Sequence, residues 1–274
     1  MFATDVSVGV DDLAVEVEAR GFDSLWIPEH THIPTSRRTP PPTGVEELPE
    51  EYRRTVDPLV ALAAAAARTE RIHLGTGVLL VAQRDPIVTA KAVATLQNLS
   101  NGRLELGVGF GWNVDEMEDH GVDHRTRRAR AREHVLCMQS LWRDDVASFE
   151  GDYVQLPPTW SWPKPEVPVP ILLGGGFGPK LLSHLVNYAD GWIPIGGSGL
   201  AEDVPRYLRA LADAGRDPAS ARIVPFGTLP DAAKLEHFER IGVTECVFRI
   251  PSGPAEEVLP VLDEQAELIE RVRG

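Results

Sequence analysis

Apolar runs alternate with amphipathic stretches from one end of the chain to the other, which is the pattern of a parallel sheet with crossover helices. Apolar positions at helical spacing predict helices over 9–21, 57–69, 86–99, 124–142, 178–188, 201–215, 231–241 and 254–272. Short, densely apolar runs predict strands over 24–28, 72–80, 103–109, 169–174, 191–195, 222–227 and 244–250. Eight helices thus face seven strands. Each strand precedes a helix, so the first helix demands a strand before it, and only residues 1–8 could supply one. A closed barrel needs all eight, because a gap leaves two exposed edges and a breached core. The expectation is an α/β fold, a (β/α)8 TIM barrel spanning 1–274 as a single domain, whose first strand is short or missing because the chain lacks its beginning.

Two connections, 29–56 and 143–170, far exceed the few residues usual between barrel elements. The first runs through Pro40-Pro41-Pro42 to Tyr52-Arg53-Arg54, and the second carries Trp160 and Trp162 among prolines. Loops of this kind suit lids over the active-site face, and equally suit contacts between subunits.

Composition narrows the class further. With 43% hydrophobic and 25% charged residues the chain reads as globular and soluble. It contains no apolar run of the ~20 residues that a membrane span requires. No secretion signal opens it, which places it in the cytoplasm. Cys137 and Cys246 form neither a disulfide framework nor a metal-ligand spacing and read as buried thiols. A net charge of −14 argues against nucleic-acid binding, which needs a basic face. Arg125, Arg127, Arg128, Arg130 and Arg132 form a local basic run, either an anion-binding patch or a solvated helix face.

In a barrel the chemistry sits where strands end and the following loops begin. Glu29-His30-Thr31-His32 follows one predicted strand, and Gly75-Thr76-Gly77-Val78 lies within the next. Gly107-Val108-Gly109-Phe110-Gly111-Trp112-Asn113 and Gly174-Gly175-Gly176-Phe177-Gly178 end two more. Glycine lets backbone amides approach a ligand, and amides at a helix start bind phosphate, so Gly174–Gly178 before Pro179 reads as a phosphate cradle. Tight turns alone would also use glycine. An unperturbed imidazole can give or take a proton near neutrality, which makes His30 the candidate acid or base, although a histidine at a strand end can also merely cap hydrogen bonds. His32 completes an H-x-H pair of the sort that holds zinc, but no further ligand pair stands at the later strand ends. A lyase or isomerase barrel would carry a lysine or paired carboxylates there, whereas Lys91 and Lys180 fall inside helical patterns.

Taken together, several segments resemble the luciferase-like monooxygenase superfamily, in particular its branch of F420-dependent oxidoreductases. They are Gly21 to His30, Leu74 to Val78, Gln83-Arg84-Asp85-Pro86, Gly102-Arg103 to Asn113 with Glu116, Gly174-Gly175-Gly176, and Asp190-Gly191-Trp192. The resemblance covers nearly the whole chain. It implies hydride transfer between the deazaflavin coenzyme F420 and a small-molecule substrate, with an FMN-dependent monooxygenase as the alternative and a non-catalytic flavin-binding barrel as a third possibility. It also implies a homodimer, a catalytic His30 and a non-proline cis bond at Gly77-Val78 behind the ring. Glu29, Thr76, Gly77, Val78, Gly109, Gly111, Trp112, Asn113, Gly174, Gly175 and Gly176 would hold the cofactor.

Overall fold

The computed structural model describes residues 1–40 and 47–273, so 41–46 of the first long connection, with Pro41 and Pro42, lie outside the described residues. In chain order the elements are α1 (Val10–Ala19), β1 (Ser24–Ile27), α2 (Pro58–Ala66), β2 (His73–Thr76), α3 (Pro86–Leu99), β3 (Leu104–Val108) and α4 (Val114–Asp119). There follow α5 (Arg127–Arg143), β4 (Ala147–Glu150), β5 (Gln155–Thr159), β6 (Ile171–Gly174), α6 (Pro179–Tyr188), β7 (Gly191–Ile193) and α7 (Leu200–Asp213). The chain closes with β8 (Arg222–Ile223), β9 (Phe226–Thr228), α8 (Ala232–Arg240), β10 (Val247–Phe248) and α9 (Ala255–Arg273). Every predicted helix is present within a few residues. Local chemistry sets two of the starts, where Asp57 and Asp85 each accept two backbone amides and are followed by a proline that needs none.

Strands β1, β2, β3, β6, β7 and β8 form one parallel sheet in that order, and β9 pairs in parallel with β10. The bridge Ile195↔Phe226 carries the arc from β7 into β9. The strand predicted over 222–227 is therefore interrupted, at Pro225, which has no amide to donate. The expected barrel with a short or missing first strand is, among the described residues, a parallel arc of the barrel type. Among the described residues no strand pairing joins β10 to β1, and ahead of α1 there is only the antiparallel bridge Thr4↔Thr55. The main core lies between sheet and helices, around Leu13, Leu62, Leu74, Leu104 and Met138. A smaller cluster of Trp26, Leu172, Ile193 and Val224 fills the inside of the arc against Val78 and Phe226.

The connection 143–170 is not a lid over the active-site face. It joins the end of α5 to the start of β6 and so lies at the opposite end of the strands from His30. Its β4–β5 hairpin is antiparallel, and Glu133 of α5 accepts the amides of Asp152, Tyr153 and Val154. Lys164 donates to the carbonyls of Leu141 and Asp144, and Asn98 of α3 donates to the Lys164 carbonyl. Of the two long segments, only 29–56 borders the strand ends that carry His30. Cys137 is fully buried and Cys246 half-buried, and burial pushes both thiols up to about 11. Among the described residues no helix is long and apolar enough to cross a membrane.

Candidate active site

His30 stands just past the end of β1 and is 8% exposed. Its Nδ1 lies 2.7 Å from Oε2 of Glu116, a residue of α4 that is itself 1% exposed. The other oxygen of Glu116 accepts the Thr31 amide at 3.1 Å and the Gln83 side-chain amide at 3.4 Å. An ionised carboxylate can only accept, so this arrangement places the imidazole proton on Nδ1 and the free lone pair on Nε2. Trp112 then donates its indole N–H to Nε2 at 3.3 Å. The His30 carbonyl accepts from Thr55 Oγ1 at 2.7 Å, which ties the strand end to the long segment 29–56.

Aromatic rings close in on the imidazole. Tyr52 lies 5.4 Å from His30, Trp112 5.7 Å from it, and Phe2 stacks 4.4 Å from Tyr52. Burial pushes the Tyr52 phenol above its ordinary value, so it is a neutral wall near pH 7. Outside the rings the rim is acidic and internally paired. Arg38 bridges Asp115 and Glu118, and His32 reaches Asp119 at 2.9 Å. His32 is thus occupied by the rim, and among the described residues no group of three or more metal-ligating side chains occurs.

The structure brings His30 and Trp112 together and gives the other predicted residues more varied parts. Both oxygens of Glu29 are committed, one to the Leu80 amide at 2.6 Å and one to Arg84 Nε at 2.7 Å. Burial works against the charge of Arg84, but Glu29 and Asp57 more than offset it and hold its pKa above the ordinary value. Glu29 therefore anchors the turn after β2. Thr76 is fully buried and donates its hydroxyl to the Gly107 carbonyl at 2.8 Å. The Gly77-Val78 bond is cis, as the resemblance implied. A Cβ on Gly109 would lie 2.1 Å from a Val78 methyl, and one on Gly174 would lie 3.0 Å from the other. These two glycines make room for Val78. Gly111, at φ +74, turns the chain so that Trp112 can face His30.

At the Gly174–Gly178 loop the Gly175 amide is already used by the Ile193 carbonyl at 3.2 Å, and the Trp192 indole holds the Gly175 carbonyl at 2.9 Å. Gly176, Phe177 and Gly178 have no acceptor for their amides among the described residues, and nothing lies within 4 Å of a Cβ on Gly176. The open amides therefore start one or two residues later than the sequence suggested. Asn113, 1% exposed, leaves both Oδ1 and Nδ2 without a partner among the described residues. A buried, orphaned amide costs about 1–3 kcal/mol unless something meets it, which fits a polar ligand group between the β3 and β6 ends.

Sequence reasoning named Glu116, Gln83 and Tyr52 but gave none of them a role at the site. Glu116 stands three residues after Asn113, the spacing of a capping box, but the side chain of Asn113 makes no capping bond, and Glu116 turns to His30.

The model of the family described as luciferase-like monooxygenase matches residues 9–234. The chain belongs to the luciferase-like monooxygenase family. A Mycobacterium tuberculosis (strain ATCC 25618 / H37Rv) protein described as uncharacterized is 39% identical over 270 residues, covering 97% of this chain and 95% of that one. The F420-dependent glucose-6-phosphate dehydrogenase of Amycolatopsis mediterranei (strain U-32) is 34% identical over 208 residues, 74% of this luciferase-like chain and 57% of the dehydrogenase. Among solved structures, an F420-dependent secondary alcohol dehydrogenase in complex with an F420-acetone adduct is 21% identical. It superposes with a TM-score of 0.76 over 96% of this chain and 94% of its own.

Proposed function

We propose that this luciferase-like enzyme transfers hydride between F420 and a small alcohol or carbonyl compound, with His30 moving the accompanying proton. The observation that carries the reading is the buried His30–Glu116 pair, which keeps the proton on Nδ1 and turns the Nε2 lone pair toward the Trp112 indole N–H, a donor that a substrate hydroxyl would replace. The family and the F420-dependent relative that is 34% identical support the choice of cofactor. When bound, the deazaflavin supplies the carbon that gains or loses hydride. The Asn113 amide and the open amides from Gly176 to Gly178 would hold its polar portion.

The remaining work falls to the chain itself. As a hydroxyl substrate is oxidised, His30 Nε2 takes the hydroxyl proton, and Glu116 stabilises the imidazolium that forms. In the reverse direction the same nitrogen returns the proton to the carbonyl oxygen. Tyr52, Trp112 and Phe2 exclude water from the pair, which strengthens its electrostatics. Titration with F420, and separately with FMN, followed by tryptophan quenching is the direct test. Wild type and His30→Ala should bind F420 alike, while the variant loses about 10²–10⁴-fold in turnover of a secondary alcohol. Binding of FMN alone would move the protein to the monooxygenase side of its family.

A further inference from the structure

We propose that Arg128 and Arg132 of α5, together with His184 of α6, form the docking site for the anionic tail of the cofactor, the chain of glutamyl carboxylates that F420 carries beyond its phosphate. The inference rests on the F420 reading above. Both helices start at the strand ends that carry the site. Phe110, next to Gly109 at the end of β3, connects the two: the Arg128 guanidinium lies 4.2 Å above its ring, and the His184 ring is 5.8 Å from it. The first turn of α5 and the early turns of α6 therefore meet around Phe110, and α6 itself begins at the loop with the unused Gly176–Gly178 amides.

The charges of Arg128 and Arg132 are uncompensated among the described residues. The chain has 41 acidic residues against 27 lysines and arginines, yet among the described residues neither Arg128 nor Arg132 has a carboxylate partner or a hydrogen-bond acceptor. Elsewhere arginines pair readily: Arg125 with Asp123, Arg38 with Asp115, and Arg84 with Glu29. One guanidinium nitrogen of Arg128, Nη1, is buried with nothing to donate to. The neighbours repel one another. Burial and then Arg127 lower the pKa of Arg128, and burial followed by Arg128 and Arg132 lowers that of His184. A carboxylate chain laid across Arg128 and Arg132 would relieve that repulsion, and the Phe110 ring already holds one guanidinium plane in orientation. A net charge of −14 offers no long-range attraction for a polyanion, so a local patch has to supply it.

The test uses three ligands: the uncharged ring-and-ribityl fragment of F420, F420 stripped of its glutamates, and F420 with its full tail. Each is titrated into wild type, an Arg128→Gln/Arg132→Gln variant and the matching double lysine variant, at low and high salt. The expected result is a loss of about tenfold or more in the glutamine variant's affinity for full F420 at low salt. Its salt dependence should flatten, its affinity for both shorter ligands should stay unchanged, and the lysine variant should recover most of the binding. Unchanged binding of the fragment also shows that the variant is folded. Equal affinity of wild type and glutamine variant for full F420 would overturn the inference. So would an equal loss on stripped F420, which would assign the arginines to the phosphate. If wild type binds none of the three, the F420 reading falls and takes the inference with it.

Discussion

At the scale of single residues the site depends on which imidazole nitrogen carries the proton. Glu116→Gln preserves the shape of the carboxylate, but its amide can donate to Nδ1 and drive the proton onto Nε2, where it blocks proton uptake from a hydroxyl. Turnover should fall about 10²-fold or more, by analogy with an amide replacing the orienting acid of a hydrolase triad, while F420 affinity stays put. Stopped-flow single turnovers beside a binding titration check this, and a variant that loses affinity at full turnover would make Glu116 a cofactor contact instead. Glycines divide along similar lines. A Cβ on Gly107 would lie 2.0 Å from the Thr76 carbonyl oxygen and 2.8 Å from Ile193 Cδ1, inside the paired sheet. Gly107→Ala should therefore cost about 1–3 kcal/mol or more by overpacking. Gly176→Ala meets nothing and should change stability by less than about 0.5 kcal/mol, so any weakening of cofactor binding there reports on the loop itself. Urea melts of the two variants separate these cases.

At the scale of elements α5 and α6 make the fold sensitive to acid. His134 of α5 is 2% exposed and its Nδ1 shares a hydrogen bond with the Val81 carbonyl at 2.8 Å, while His184 of α6 is half-buried. Burial, the largest cause for each, depresses both below the ordinary 6.5. The unfolded chain therefore binds protons that the folded one refuses. Their contribution is fully present above pH 6.5, falls as pH drops below it, and is lost once pH has passed through the depressed folded values. Thermal melts across that window should show the decline, and His134→Gln should flatten part of it; an equally steep decline in the variant would remove His134 from the account. Helix α5 is legible in the sequence because its apolar spacing runs over seventeen residues, and α2, α3 and α6 because Asp-Pro or Gly-Pro pairs mark their starts. The six-residue α4 is too short to show a period, so Glu116 had no element to sit on. The β4–β5 hairpin is hidden for another reason: Pro157 and Pro158 argue against a strand, yet they fall where the register with β4 shifts, in an irregularity that asks no regular ladder amide of them. His30 and the glycine clusters stand at strand ends and could be found by position. Tyr52 arrives from a distant stretch of the 29–56 segment, which only the folded chain brings to the imidazole.

Across the whole molecule the parallel arc has two free edges, and what spans them governs where the fold opens first. Among the described residues β2, β3 and β6 each have a neighbour on both sides, whereas β1 pairs only with β2, and β10 only with β9. A cavity of about 580 Å³ lies between those edges, lined by Ser24, Trp26, Thr244, Cys246 and Val247 among others. Glu245 reaches across it: its Oε1 accepts from Ser24 and from the Trp26 indole at 3.1 Å, and its Oε2 from Arg222 at 3.0 Å. Burial, and next the charge of Glu105, push the Glu245 carboxyl above its ordinary range, so this bridge is held at a cost. On the outside, α1 and α9 are linked by the exposed pair Arg20–Asp263, and Arg273 of α9 donates to the Gly21 carbonyl. Such exposed links contribute about 0–1 kcal/mol each. Local opening should therefore begin at β1 and β10 and leave the central strands closed. Hydrogen exchange followed residue by residue is expected to show the amides of β3 and β6 slowest and those of β1 and β10 faster. Glu245→Ala should accelerate the two edge strands well before it touches β3. If all five strands exchanged together in a single event, in wild type and variant alike, the edges would be held as firmly as the centre and the Glu245 bridge would carry no special part.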